Sequence, residues 1–134
     1  MGAALLHEVT PVVRGGTNRN VDELLEDAQA NAARGTPALS VFWSVPQDDE
    51  SEEAYLLRVC TESTIPHGKI QISTPAQLAA VGLDLVPDES DGQPQNHHHV
   101  IFEVPVTRLQ IEAFVSAFSE PQPNPTGGNR RRRQ

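Results

Sequence analysis

Five histidines, one cysteine and scattered carboxylates are the side chains in this sequence that could do chemistry, and three of the histidines are consecutive: His97, His98 and His99. They open the stretch NHHHVIFEVP, Asn96 to Pro105. Val100, Phe102 and Val104 alternate there with Ile101, Glu103 and Pro105, the period-2 pattern of a half-buried strand. On that alternation His97 and His99 share a face with Ile101 and Glu103, and His98 falls on the other face. Residues two apart on a strand lie about 6.5–7 Å apart and point the same way. Two imidazoles so placed can converge on one divalent transition metal. The expected ligand set is His97, His99 and Glu103, with His67, Asp84 or His7 as alternatives for completing the shell. Imidazole also titrates near neutrality and serves general acid–base work. The competing reading is three polar residues on a solvated strand, His98 half-buried and hydrogen-bonded. That arrangement is the commoner one, because spacing alone does not establish convergence.

No other motif carries a catalytic assignment. Cys60 stands in a helical pattern beside Leu56, Leu57 and Val59, where cysteine serves as a small hydrophobe. Ser40 and Ser44 lack a nucleophile-elbow context. Arg14-Gly-Gly-Thr-Asn-Arg-Asn20 precedes a helix but is neither a Walker loop nor a dinucleotide fingerprint, and Asp22 and Glu23 would oppose a phosphate there. The acidic stretches Asp48–Glu53 and Asp88–Asp91 lack the spacing of a calcium loop. They read as solvated loops, and Asp48, Asp49 and Glu50 as a surface able to dock a basic partner.

The elements that must position these groups follow from periodicity and punctuation. A strand is expected over Leu5–Val13, with Pro11 marking an edge or an end. Asn20 caps a helix whose apolar spacing runs Val21, Leu24, Leu25, Ala28 and Ala32 and which Gly35 ends. Ala38–Val45 reads as a central strand covered on both faces, and Ser51–Glu62 as a second helix. Lys69–Ser73 is a strand, Thr74-Pro-Ala-Gln77 a helix start, and Leu83–Val86 a short strand. The strand bearing the histidines forms a hairpin with it, and Thr107-Arg-Leu-Gln110 starts a last helix. The expectation is an α/β or α+β fold in a single small domain, residues 1–118. Its order is β-α-β-α-β-α-β-β-α, about five strands in a mixed sheet covered by about four helices. Residues 119–134 offer Pro, Gly and Arg but nothing apolar to bury, and read as a disordered tail.

Composition narrows the function classes. The 134 residues carry a formal charge of −8, and without the run Arg130–Arg133 the rest holds 6 basic against 18 acidic residues. Such a body repels nucleic acid and anionic membranes, and the arginine tail alone is a weak case for nucleic acid. Lys69 is the only lysine against nine arginines, a bias expected of a GC-rich, bacterial genome. A single cysteine excludes an intramolecular disulfide. The start MGAALLHEVT has no basic region or long apolar run, and no stretch reaches the length of a membrane span, so a cytoplasmic protein is expected. Two functions remain. The first is a small acidic accessory, adaptor or immunity-type protein that binds another protein through Asp48, Asp49 and Glu50. The second is a metal-assisted or histidine-dependent hydrolase with its site on the strand His97–Glu103.

Overall fold

A computed structural model describes residues 7–17, 19–89, 92 and 96–128. A 3-10 turn at His7–Val9 leads into β1 (Val12–Gly15), α1 (Val21–Ala33), β2 (Ala38–Phe42), α2 (Glu52–Glu62) and β3 (Lys69–Ser73). Then follow α3 (Pro75–Ala80), β4 (Asp84–Pro87), β5 (His97–Ile101), α4 (Arg108–Ala117) and β6 (Gln122–Pro123). The fold is α+β, with four helices on a six-stranded sheet in the order β4-β5-β2-β1-β3-β6.

The helices begin where the sequence offers a side-chain acceptor for their open N–H groups. Asn20, Ser51, Thr74 and Thr107 accept from Glu23, Ala54, Gln77 and Gln110 respectively. At Thr107 the box is complete, because the Gln110 side chain accepts in return from the Thr107 amide. Gly35 and Gly82 sit at positive φ just beyond α1 and α3, the conformation that a residue with a Cβ resists.

Every strand pair in the sheet is antiparallel, which corrects the expectation of a mixed sheet. The cause lies in how α1 runs. Near its start Arg19 donates to the Ser119 carbonyl beside β3, and in its last turn Asn31 Nδ2 donates to the Ala38 carbonyl at 2.9 Å. The helix therefore crosses the strands rather than running back along them. The chain enters β2 at the end where β1 left off, and the two strands run opposite ways.

Two apolar clusters lie on opposite faces of the sheet. Leu39, Val41, Val100, Phe102 and Val12 pack on one face against Leu24 and Ala28 of α1, Leu78 of α3 and Ile111 and Phe114 of α4. On the other face Val13 and Ile70 pack against Tyr55, Leu56, Val59 and Cys60 of α2, with Phe42 and Ile72 at the margin. Among the described residues one helix covers this second face, and it sits over β1 and β3. Ser40 in β2 is consequently exposed, although its strand was expected to be covered on both sides. Burial pushes the Cys60 thiol up to about 11, so it is a packing residue rather than a thiolate.

Three further expectations change. The first strand starts at Val12 rather than Leu5, because residues 7–9 form the 3-10 turn; Leu5 itself lies outside the described residues. β5 ends at Ile101. The polar segment 119–128, expected to be disordered, is placed against the body. β6 pairs with β3 at Lys69↔Pro123 and Ile70↔Gln122, and buried Asn124 donates through Nδ2 to the carbonyls of Ile65 and His67 at 3.3 and 2.8 Å. Hydrogen bonds rather than apolar burial hold it. Arg130–Arg133 lie outside the described residues.

Tyr55 ties α2 to the start of β1: its buried hydroxyl donates to the Pro11 carbonyl at 2.7 Å and accepts from the Ser44 amide at 3.1 Å. Tyr55→Phe strands both groups and should cost about 1–3 kcal/mol. In urea unfolding the midpoint should fall with an unchanged m-value.

Candidate metal centre

β5 lies between β4 and β2, and its pairing with each decides which way the histidines face. His97 is opposite Phe42, His98 opposite Val41 and His99 opposite Ser40. Residues directly opposite in an antiparallel pair share a face. His97 and His99 therefore lie on the α2 side, beyond the part of the sheet that α2 covers. His98 lies on the other side with Val41. Its Nδ1 is 2.9 Å from the Asn96 carbonyl, and its ring stands edge-on to Trp43 with centroids 5.6 Å apart. Desolvation lowers the pKa of His98, as burial of a neutral imidazole should.

β4 supplies the third group. The β4–β5 register runs from Asp84↔Ile101 to Pro87↔His98, so one further step sets Asp88 across from His97. The Asp88 amide donates to the His97 carbonyl at 2.9 Å. Asp88 Oδ2 lies 2.6 Å from His97 Nδ1 and 3.4 Å from His99 Nε2, and the two imidazole rings stand edge to face with centroids 5.3 Å apart. One ligand atom from each of Asp88, His97 and His99 can be chosen so that all lie within 4.8 Å of one another. Ligands at about 2.0–2.1 Å around a tetrahedral zinc-class ion stand roughly 3.3 Å apart. The Asp88–His99 separation already matches that. The Asp88–His97 contact, a hydrogen bond at 2.6 Å, would have to lengthen by less than about 1 Å to admit such an ion.

The carboxylate and both rings open on a cavity of about 360 Å³, whose other walls include Asn31, Arg34, Thr36 and Ser40. Except for Ala38 the lining is polar. Phe42 backs the His97 ring at 5.3 Å between centroids. Among the described residues, two imidazoles and one carboxylate thus meet on one side of this cavity.

The other ligands considered for this set lie elsewhere. Glu103 follows the end of β5; it is exposed, and its carbonyl accepts from Gln110 Nε2 at the start of α4. Asp84 shares the face of His97 and His99 but sits opposite Ile101, four residues along β4 from Asp88, about 13 Å at strand rise. His67 packs over Gly15, close enough to exclude a Cβ there. His7 meets the edge of Trp43 at 5.7 Å between centroids. Asp88 was assigned by sequence to a solvated acidic loop. The signal that finds it is the hairpin register, carried one step past Pro87.

The expected docking residues separate as well. Asp48 and Asp49 are exposed. The Glu50 carboxylate, with only 6% of its side chain exposed, takes Arg58 Nε at 2.7 Å and Nη2 at 2.8 Å and accepts from the Gln47 amide at 2.9 Å. It is thus paired within its own chain.

Compared with protein-family models, curated proteins and solved structures, the chain matches none.

The hydrogen bonds from Arg58 hold the Glu50 carboxyl below its usual range. A carboxyl depressed on folding contributes stability that is complete above its unfolded pKa and fades as pH falls through the folded one. Glu50→Gln should therefore cost about 1 kcal/mol near neutrality. The gap to the parent should close as pH drops below about 4.5, read as urea midpoints across a pH series.

Proposed function

We propose that this chain binds one zinc-class divalent ion through Asp88, His97 and His99 and uses it to activate water against a small polar substrate. The reaction class is hydrolysis. The observation that carries this reading is the convergence of two imidazoles and one carboxylate at an open, polar-walled cavity. A cation held there supplies a water of lowered pKa. The chain's own groups do the rest: Asp88, His97 and His99 hold the cation, while Asn31, Arg34, Thr36 and Ser40 offer hydrogen bonds to whatever fills the cavity.

The alternative, an acidic accessory protein that binds another protein, retains Asp48 and Asp49. It loses Glu50 to Arg58, so two exposed carboxylates remain of the three. None of the described helices is long and apolar enough to cross a membrane. The metal reading is favoured because it rests on groups that the fold brings together from β5 and from the residue just past β4.

Zinc and cobalt titrations of the metal-stripped chain, followed by calorimetry and native mass spectrometry, should give one ion per chain. Asp88→Asn, His97→Ala and His99→Ala should each weaken binding at least tenfold, while His98→Ala leaves affinity unchanged and lowers thermal stability. Hydrolysis across a panel of simple esters should appear with the ion and vanish with a chelator. Equal affinity losses at His97, His98 and His99, or no stoichiometric ion, would sink the proposal.

A further inference from the structure

The sheet opens between β1 and β2. β1 makes four registered pairs with β3 but a single one with β2, Val13↔Phe42. Past that pair the strands separate, and Arg14 fills the gap. Its Nη1 donates to the Ser40 carbonyl at 2.7 Å, standing in for a ladder hydrogen bond, and its guanidinium carbon lies 5.7 Å from the centroid of the Phe114 ring. Among the described residues no carboxylate forms an ion pair with it, and the rest of its fork takes no protein acceptor. Asp27 acts on it through space, and burial lowers its pKa. Arginine nevertheless stays charged. A guanidinium has five N–H donors in a planar fork, so most of the binding capacity of Arg14 is uncommitted.

A cavity of about 620 Å³ opens over this arginine. That volume is in the range of small-molecule sites. Phe42, Ile65 and Pro66 give it apolar walls, while Ser63 and His67 add polar groups. The 65–67 wall is built in rather than loose. Asn124 holds the carbonyls of Ile65 and His67. Gly15 lies so close under Ile65 and His67, and Gly128 so close against the carbonyls of Pro66 and His67, that neither position has room for a Cβ.

We propose that Arg14 is the anchor of a second binding site, one that takes a small organic carboxylate with an apolar body. A planar fork matches a carboxylate through two parallel hydrogen bonds, and the three apolar side chains cover the body of the ligand. Glu23 also lines the cavity and Asp27 lies near the guanidinium; both carboxylates oppose a phosphate dianion about twice as strongly as a monoanion. The site stands without any metal at Asp88, His97 and His99. It does adjoin that centre, because Ser40 lines both cavities and is bracketed by His99 across one edge of β2 and by Arg14 across the other.

The test is a titration of isotope-labelled, metal-free chain with benzoate, benzyl alcohol and inorganic phosphate at constant ionic strength, followed by amide spectra. Benzoate should give saturable shifts confined to residues 14–17, 40 and 63–67, with benzyl alcohol and phosphate at least fivefold weaker. Arg14→Lys should weaken benzoate at least fivefold. The site is overturned by shifts that do not saturate or that map elsewhere, by benzyl alcohol binding as tightly as benzoate, or by an unchanged affinity in Arg14→Lys. Phosphate binding as tightly as benzoate overturns the assignment to a carboxylate. Should Arg14→Lys fail to fold, the comparison of benzoate with benzyl alcohol on the parent chain decides.

Discussion

The register of β5 against β2 is the constraint on which the candidate centre depends. Five consecutive pairs, from Ala38↔Ile101 to Phe42↔His97, fix it. Because side chains alternate with period two, a slip of one residue would turn His97 and His99 under α1 and α4 and bring His98 out. The apolar residues forbid the slip. Val100 and Phe102 fill the first cluster together with Leu39 and Val41, and exposing them would forfeit about 1.5–3 kcal/mol for each side chain. Placement of the imidazoles is thus a by-product of burying their neighbours. The same alternation that makes the strand amphipathic sets two of three histidines on the open face.

That face is open because the helices are unequally divided. Among the described residues α1, α3 and α4 pack on one side, and α2 alone packs on the other, over β1 and β3. Among the described residues no helix covers the strip along β2, β5 and β4, where Ser40, His99 and Val86 remain at least partly exposed while His97 is buried. A sheet fully covered on both faces would have had to fill these positions with apolar side chains. Leaving one strip polar creates the cavity beside Asp88, and the parting of β1 from β2 creates the one over Arg14. Both features sit at the edge of what α2 covers, with Ser40 between them.

Much of this fold is legible in the sequence where the signal is local. Asn20, Thr74 and Thr107 mark helix starts because a side-chain oxygen near an open N–H acts within one turn. The alternation of Val100 and Phe102 places His97 and His99 together for the same reason. What escapes is set by pairing at a distance. Asp88 reads as loop until β4 is registered against β5. Glu103 reads as strand because its period continues, yet the chain leaves the sheet after Ile101 and turns toward α4. Glu50 reads as solvated until Arg58, eight residues on, is brought back by α2. Segment 119–128 escapes for a different reason. Its order comes from Asn124 and backbone carbonyls, and no hydropathy pattern records those.

Asp88 holds two relationships that compete for one oxygen. Without an ion, the 2.6 Å contact between Oδ2 and His97 Nδ1 requires a proton between them, and that hydrogen bond closes the end of the β4–β5 hairpin just past Pro87. Were a cation bound as proposed, Asp88 and His97 would serve as its ligands in place of that hydrogen bond, and the proton would leave. The hairpin would then be held together in both states, with the backbone bond from the Asp88 amide to the His97 carbonyl common to both. Little reorganisation would separate the two states, which is the condition under which a site keeps its ligand geometry before a ligand arrives. His99, 3.4 Å from the same oxygen, needs no such exchange.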